Sequence, residues 1–160
     1  MSRLRLGVDA INLLADERGM GRVVRHILRH AIDAHDVDLT LLVKRRHPRA
    51  AAYAQALVRE RFTVAPAAIA KRRNTFDATL YPWNGIRFRS RAPSLVIIYD
   101  AFAFSEPASG WIARKREQGP VRRAARQATQ IVTISEWSRA EIARALDIDP
   151  ARIDLSLIHI

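Results

Sequence analysis

Three short stretches of this sequence hold residues whose types and spacing suit chemistry. The first is Gly19-Met20-Gly21-Arg22. Two glycines just ahead of a helical pattern let the backbone come close to a ligand, and a helix N-terminus favours a phosphate. Arg22 adds a cation able to make a charge-assisted, bidentate contact. A loop that only turns the chain would look the same. It is not a dinucleotide fingerprint, because Val24 stands at the third glycine position and the loop is too long for the tight turn. Nor is it a Walker loop, which ends in Lys-Ser or Lys-Thr.

The second stretch is Tyr99-Asp100, at the end of the apolar run 95–99. It reads as a polar pair facing a cleft, or as an acid capping the next turn. The third is Ser135-Glu136-Trp137-Ser138. Ser135 ends another apolar run and can offer its hydroxyl to a phosphate or a sugar. Ser138 and Glu141 have capping-box spacing, and capping alone accounts for Ser138. His26 and His30 are four apart, a metal-ligand spacing. No Glu follows His26 and the surrounding face is basic, so solvated surface histidines are expected. No serine stands in a G-x-S-x-G context.

The elements that must position these residues can be read from hydrophobic pattern. Residues 4–9 alternate and end in an acid, as a first strand. Val23, Val24, Ile27, Leu28, Ala31 and Ile32 mark one face of the helix after the glycine loop. Residues 37–43 form a second strand, 44–49 a basic loop and 49–59 a helix with Pro48 in its first turn. Strands follow at 61–65 and 75–82. The run 94–100 reads as a strand buried on both faces, the kind found inside parallel sheets. A basic helix at 110–127, a strand at 130–134, a helix from Ser138 to about Leu146 and a strand at 151–155 complete the pattern. The alternation predicts an α/β, Rossmann-like, doubly wound and mainly parallel sheet. In such sheets ligands bind beyond the carboxyl ends of the strands, where all three stretches lie.

Composition narrows the class. The chain has 160 residues, 49% of them hydrophobic, enough for a globular core. It has no cysteine, hence no disulfide framework and no thiolate metal site. The N-terminus leads into no long apolar stretch, so no signal peptide is expected. No apolar run approaches transmembrane length. The net charge is +11, nearly all arginine. GC-rich codon usage is one cause; anionic lipid, nucleic acid or phosphorylated substrates are the functional ones. No nucleic-acid motif accompanies the charge, so nucleic acid is not the expected partner.

Taken together, Val8-Asp9-Ala10 with Gly19-Met20-Gly21-Arg22-Val23, then IIYDAFAFSEP at 97–107, then IVTISEWSRAEIA at 131–143, resemble family 4 (group 1) glycosyltransferases. The resemblance runs from the first strand to about Ile153. It implies a GT-B fold, two Rossmann-like domains with the active site between them, of which residues 1–154 match the N-terminal, acceptor-side one. The C-terminal domain, with the glutamates that hold the donor, is absent from these residues. The resemblance implies a bacterial hexosyltransferase that retains configuration and uses a nucleotide-sugar donor. The acceptor would be a glycan or a lipid-linked sugar, as in polysaccharide biosynthesis, with no metal and no resident cofactor. It gives Tyr99 and Asp100 catalytic roles, and substrate or phosphate contacts to Gly19, Gly21, Arg22, Ser135, Ser138 and Arg139. The family usually has histidine where this chain has Tyr99, which donates a hydrogen bond but carries no positive charge near neutral pH. A cytoplasmic enzyme is implied, with a peripheral place at the inner membrane open to it. The alternative is a non-catalytic basic α/β module for anionic membrane or nucleic acid. Its segments at 44–49, 71–73, 87–91 and 114–126 would have to share a face.

The last six residues, Leu155-Ser156-Leu157-Ile158-His159-Ile160, have a second reading besides a natural strand. The codons CTG TCT CTT ATA CAC ATC encode them and also spell most of the mosaic-end adapter of transposase-made sequencing libraries. On that reading residues 155–160 are adapter read-through, and the chain is a fragment expected to be inactive alone.

Overall fold

Alternation in the first residues produces β1 (Leu4–Asp9), and the apolar stripe after the glycine loop produces α1 (Met20–Ala34). The computed structural model describes residues 3–13, 16, 19–34, 37–43 and 62–156, without the side chains of 32–34. The expected loop at 44–49, the helix at 49–59 and residues 157–160 lie outside the described residues. The chain forms two compact units, residues 1–82 with 88–93, and residues 83–87 with 94–160.

In the N-terminal unit, β2 (Val37–Val43), β3 (Phe62–Pro66) and β4 (Ala78–Tyr81) join β1 in the order β3-β2-β1-β4. Every pairing is parallel. The chain thus steps from β1 outward to β3 and returns to the other side of β1. That reversal makes the unit doubly wound and places a switch point between β1 and β4. The strand expected at 75–82 is present with trimmed ends, and the one expected at 61–65 runs on to Pro66.

The two faces are packed differently. On one, Val8 and Leu41 are register partners, and both are buried together with Val24 and Leu28 of α1. On the other, Leu42, Ala70 and Phe76 form a cluster with Ile69 and Phe88 at its margin. Gly7 leaves room for the Phe76 ring: a Cβ there would lie 2.9 Å from Phe76 Cδ2. Tyr81 is fully buried, and its hydroxyl donates to the Phe88 carbonyl at 3.0 Å. Residues 88–93 return along β4, where Thr79 N–H donates to the Pro93 carbonyl at 2.8 Å.

In the C-terminal unit, β5 (Ser94–Ile97), β6 (Gln130–Thr133) and β7 (Ile153–Leu155) pair in parallel in that order. Val96, Ile131 and Ile153 share one register row and are buried. The connections are α2 (Phe102–Ser105), α3 (Trp111–Gln127) and α4 (Glu136–Leu146). α3 buries Val121, Ala124 and Ala125 in its C-terminal half. Gly85, at φ +122, lies so near α3 that a Cβ would come 2.4 Å from the Pro120 carbonyl carbon.

The class is the expected one: α/β, Rossmann-like and doubly wound, with parallel strands. Two details differ. The strand predicted at 94–100 ends at Ile97, because Tyr99 N–H is taken by the Asn84 side chain at 2.7 Å and not by a neighbouring strand. Leu95 is 38% exposed, so the run is not buried on both faces throughout. Among the described residues no helix is long and apolar enough to cross a membrane.

β4 is tied to β1 at its entry by Arg5 and Asp77. The guanidinium donates to both carboxylate oxygens, at 2.7 and 3.2 Å, and Arg5 N–H donates to Oδ2 at 2.8 Å. The side-chain bond from Arg5, then its backbone N–H, holds the Asp77 carboxyl below the usual carboxylate range. A depressed folded-state pKa contributes stability above the unfolded-state value, and that stability is lost as pH falls through the folded value. Asp77→Asn is therefore expected to lower the urea midpoint at pH 7. Its gap from the parent chain should close as pH falls below the carboxylate range, and a gap that persists in acid would show that charge is not what Asp77 contributes.

Candidate functional site

β1 carries apolar residues into the sheet and ends on Asp9, next to the point where strand order reverses. Asp9 is fully buried, and its Oδ1 accepts Ile11 N–H at 3.0 Å. Ala10 N–H donates to the Leu42 carbonyl at 2.9 Å, so the chain stays against β2 for one more residue before it turns. It re-enters regular structure through Gly19, whose φ of +45 lies in the left-handed region.

Gly21 has a different reason to be glycine. It sits in the first turn of α1, and the Asp16 carbonyl lies where a Cβ would be. Arg25, one turn further on, reaches back and donates to the Leu13 and Asp16 carbonyls at 3.2 and 2.8 Å. Leu13 and Asp16 are thus held against the start of the helix. Arg22 is exposed on that same first turn. A backbone close to a helix N-terminus with an exposed guanidinium beside it is suited to an anion.

The other expected residues belong to the C-terminal unit. Tyr99 and Asp100 follow β5, while Ser135, Ser138 and Arg139 follow β6, its neighbour. Both groups stand at the carboxyl edge of that unit's strands. Tyr99 is only 8% exposed, and Asp100 is exposed. Asp100 Oδ1 accepts Phe102 N–H at 3.0 Å, so the acid does cap the following turn, with its other oxygen still on the exposed side chain.

Ser135 is the N-cap of α4, three residues earlier than the capping box placed it. Its Oγ accepts Ser138 N–H at 3.1 Å and donates to Ser138 Oγ at 3.0 Å. Ser138 is buried inside the first turn, which leaves Ser135 as the more accessible hydroxyl. Glu141 does not reach back to the cap; it binds Arg144 at 2.6 Å. Arg139 pairs with Glu136 at 2.5 Å. The Thr133 hydroxyl, buried at the end of β6, has no hydrogen-bond partner among the described residues.

Gly19, Gly21 and Arg22 are therefore brought together in one unit, and Tyr99, Asp100, Ser135, Ser138 and Arg139 in the other. His26 and His30 are exposed on α1, as expected. Among the described residues no group of three or more His, Cys, Asp or Glu side chains is placed to hold a metal.

No protein-family model matches the chain, and no curated protein matches it. The functional reading rests on the residues themselves.

Two residues that shape the site were not singled out as site residues from sequence. Asp9 ends an apolar strand as a lone acid, and that pattern was its signal. Arg25 stood among many arginines, and only its place one turn after the second glycine marked it. A hydrogen bond to a charged donor contributes about 1.5–3 kcal/mol, and the half-buried Arg25 should fall at the low end. Arg25→Ala should therefore speed amide exchange at residues 11–13 and 19–23 by about tenfold while strand amides keep their protection. Unchanged exchange in the loop would show that Arg25 does not hold it.

Proposed function

We propose that this chain is the acceptor-side domain of a retaining glycosyltransferase. The parent enzyme would move a sugar from a nucleotide-sugar donor to a glycan or a lipid-linked acceptor. The observation that carries the reading is the glycine loop at the first turn of α1, at the carboxyl end of β1, where strand order reverses. Retaining transfer needs charge stabilisation at the departing diphosphate more than it needs a strong base. An exposed Arg22 beside close-approaching backbone N–H groups suits that task. The fold alone would serve many functions, so the assignment leans on these residues and their order in the sequence.

On this reading the carboxyl edge of β5 and β6 meets the acceptor. Asp100 accepts a hydrogen bond from a sugar hydroxyl through the oxygen not used in capping Phe102. Tyr99 stands where the resembled family has histidine. It contributes a neutral hydrogen-bonding group at most, so no step here depends on a cation at that position. Ser135 offers a hydroxyl next to the start of α4, and Arg139 a guanidinium shared with Glu136.

The test is donor turnover by a parent gene that continues this chain into the family's second domain. Loss of a charge-assisted contact of about 1.5–3 kcal/mol corresponds to roughly 10- to 150-fold. Arg22→Ala should therefore lower turnover by at least tenfold with folding intact. Unchanged turnover would remove the loop from the mechanism.

A further inference from the structure

The first two turns of α3 stand out from the C-terminal unit. Of residues 111–117 only Ala113 is partly covered; burial resumes further along, at Val121. Trp111 is 67% exposed and Ile112 61%. The helix starts at Gly110 with no side-chain cap and no acid in its first turn. Arg114, Lys115 and Arg116 follow directly, and Lys115 Nζ lies 5.6 Å from the Trp111 ring centroid. α2 is fastened alongside: Gln118 Nε2 donates to the Ala103 carbonyl at 2.8 Å, and the Arg122 guanidinium lies 5.0 Å from the Phe104 ring. Phe102, on α2, is 64% exposed.

Large apolar side chains this exposed lose free energy in water unless something covers them. Here they are set among cations, with six Arg or Lys against two acids over residues 102–127. Trp favours the boundary between water and hydrocarbon, and long cationic side chains reach from an apolar footing toward phosphate. We infer that the exposed start of α3, together with the exposed Phe102 of α2, is a docking surface for an anionic lipid bilayer. Trp111, Ile112 and Phe102 enter the headgroup boundary, while Arg114, Lys115 and Arg116 meet lipid phosphates. A nucleic acid would satisfy the cations but would offer no apolar layer for Ile112. An apolar protein face would leave three adjacent cations without counter-charge. The inference stands on exposure and charge in one unit. It does not rest on the glycosyltransferase reading, and donor turnover and vesicle binding can fail separately.

The test uses the whole chain with phosphatidylglycerol or phosphatidylcholine vesicles at moderate salt, and duplex DNA at the same salt. Trp83 is buried, so Trp137→Phe leaves Trp111 as the exposed fluorophore. Its emission should shift to the blue and be quenched by brominated lipid in phosphatidylglycerol vesicles only. Each cation near such a surface contributes about fivefold to partitioning. Replacing Arg114, Lys115 and Arg116 together by Gln should thus weaken binding about a hundredfold, with the circular dichroism of the chain unchanged. Trp111→Ser with Ile112→Ser should also weaken it, while leaving the salt dependence of the residual binding. Equal partitioning onto both vesicle types would overturn the inference. So would an unquenched Trp111, a triple variant that binds as before, or tighter binding to DNA than to phosphatidylglycerol.

Discussion

Where a strand is packed on both faces it has no room for polar side chains, and β1 is under that constraint once past its exposed start at Leu4 and Arg5. Val8 is fully buried, while Gly7 is bare so that the Phe76 ring can lie over it. β2 and β4 occupy both edges and take its backbone groups. Beyond Arg5, whatever polar chemistry β1 carries must come at its carboxyl end. Asp9 is there, buried, with its carboxylate organising the turn to Ile11. The same pressure acts in the C-terminal unit, where Val96 and Ile131 are buried and the polar residues gather after β5 and β6.

The glycine loop follows from that constraint. Once the chain leaves β1 it must reach the start of α1 without burying unsatisfied carbonyls. Arg25 meets part of this need by donating to the Leu13 and Asp16 carbonyls. Gly21 supplies the space for Asp16, and Gly19 the left-handed φ. The same residues bring the backbone at Asp16 close to a helix N-terminus. Structure and proposed function therefore draw on the same two glycines, and alanine at Gly21 would disturb both.

Much of this was legible in the sequence. Hydrophobic period located β1, α1 and β2, because each packs an apolar face that only one register can bury. Ends were less legible. Tyr99 looked like the last residue of a strand, but its N–H goes to Asn84, a residue fifteen positions away that no local pattern could link to it. Ser138 had the spacing of a cap, and Ser135 has the role. Both serines precede an apolar helical pattern, and only the backbone, extended at Ser135, distinguishes them. Phe76 lying over Gly7 was hidden for the same reason, since the contact spans two elements. Exposure of Trp111 and Ile112 was also unreadable, because large apolar side chains are ordinarily found inside.

The central claim is that the loop at residues 19–22 receives a phosphate group. Amide chemical-shift mapping of this chain with inorganic pyrophosphate tests it most directly, because the probe carries the diphosphate without the sugar or the base. The account predicts saturable shifts at Gly19, Gly21, Arg22 and Val23, reduced in Arg22→Ala. Shifts confined to Arg114, Lys115 and Arg116, with the loop amides unmoved, would contradict it and leave the basic helix as the anion-binding element of this protein.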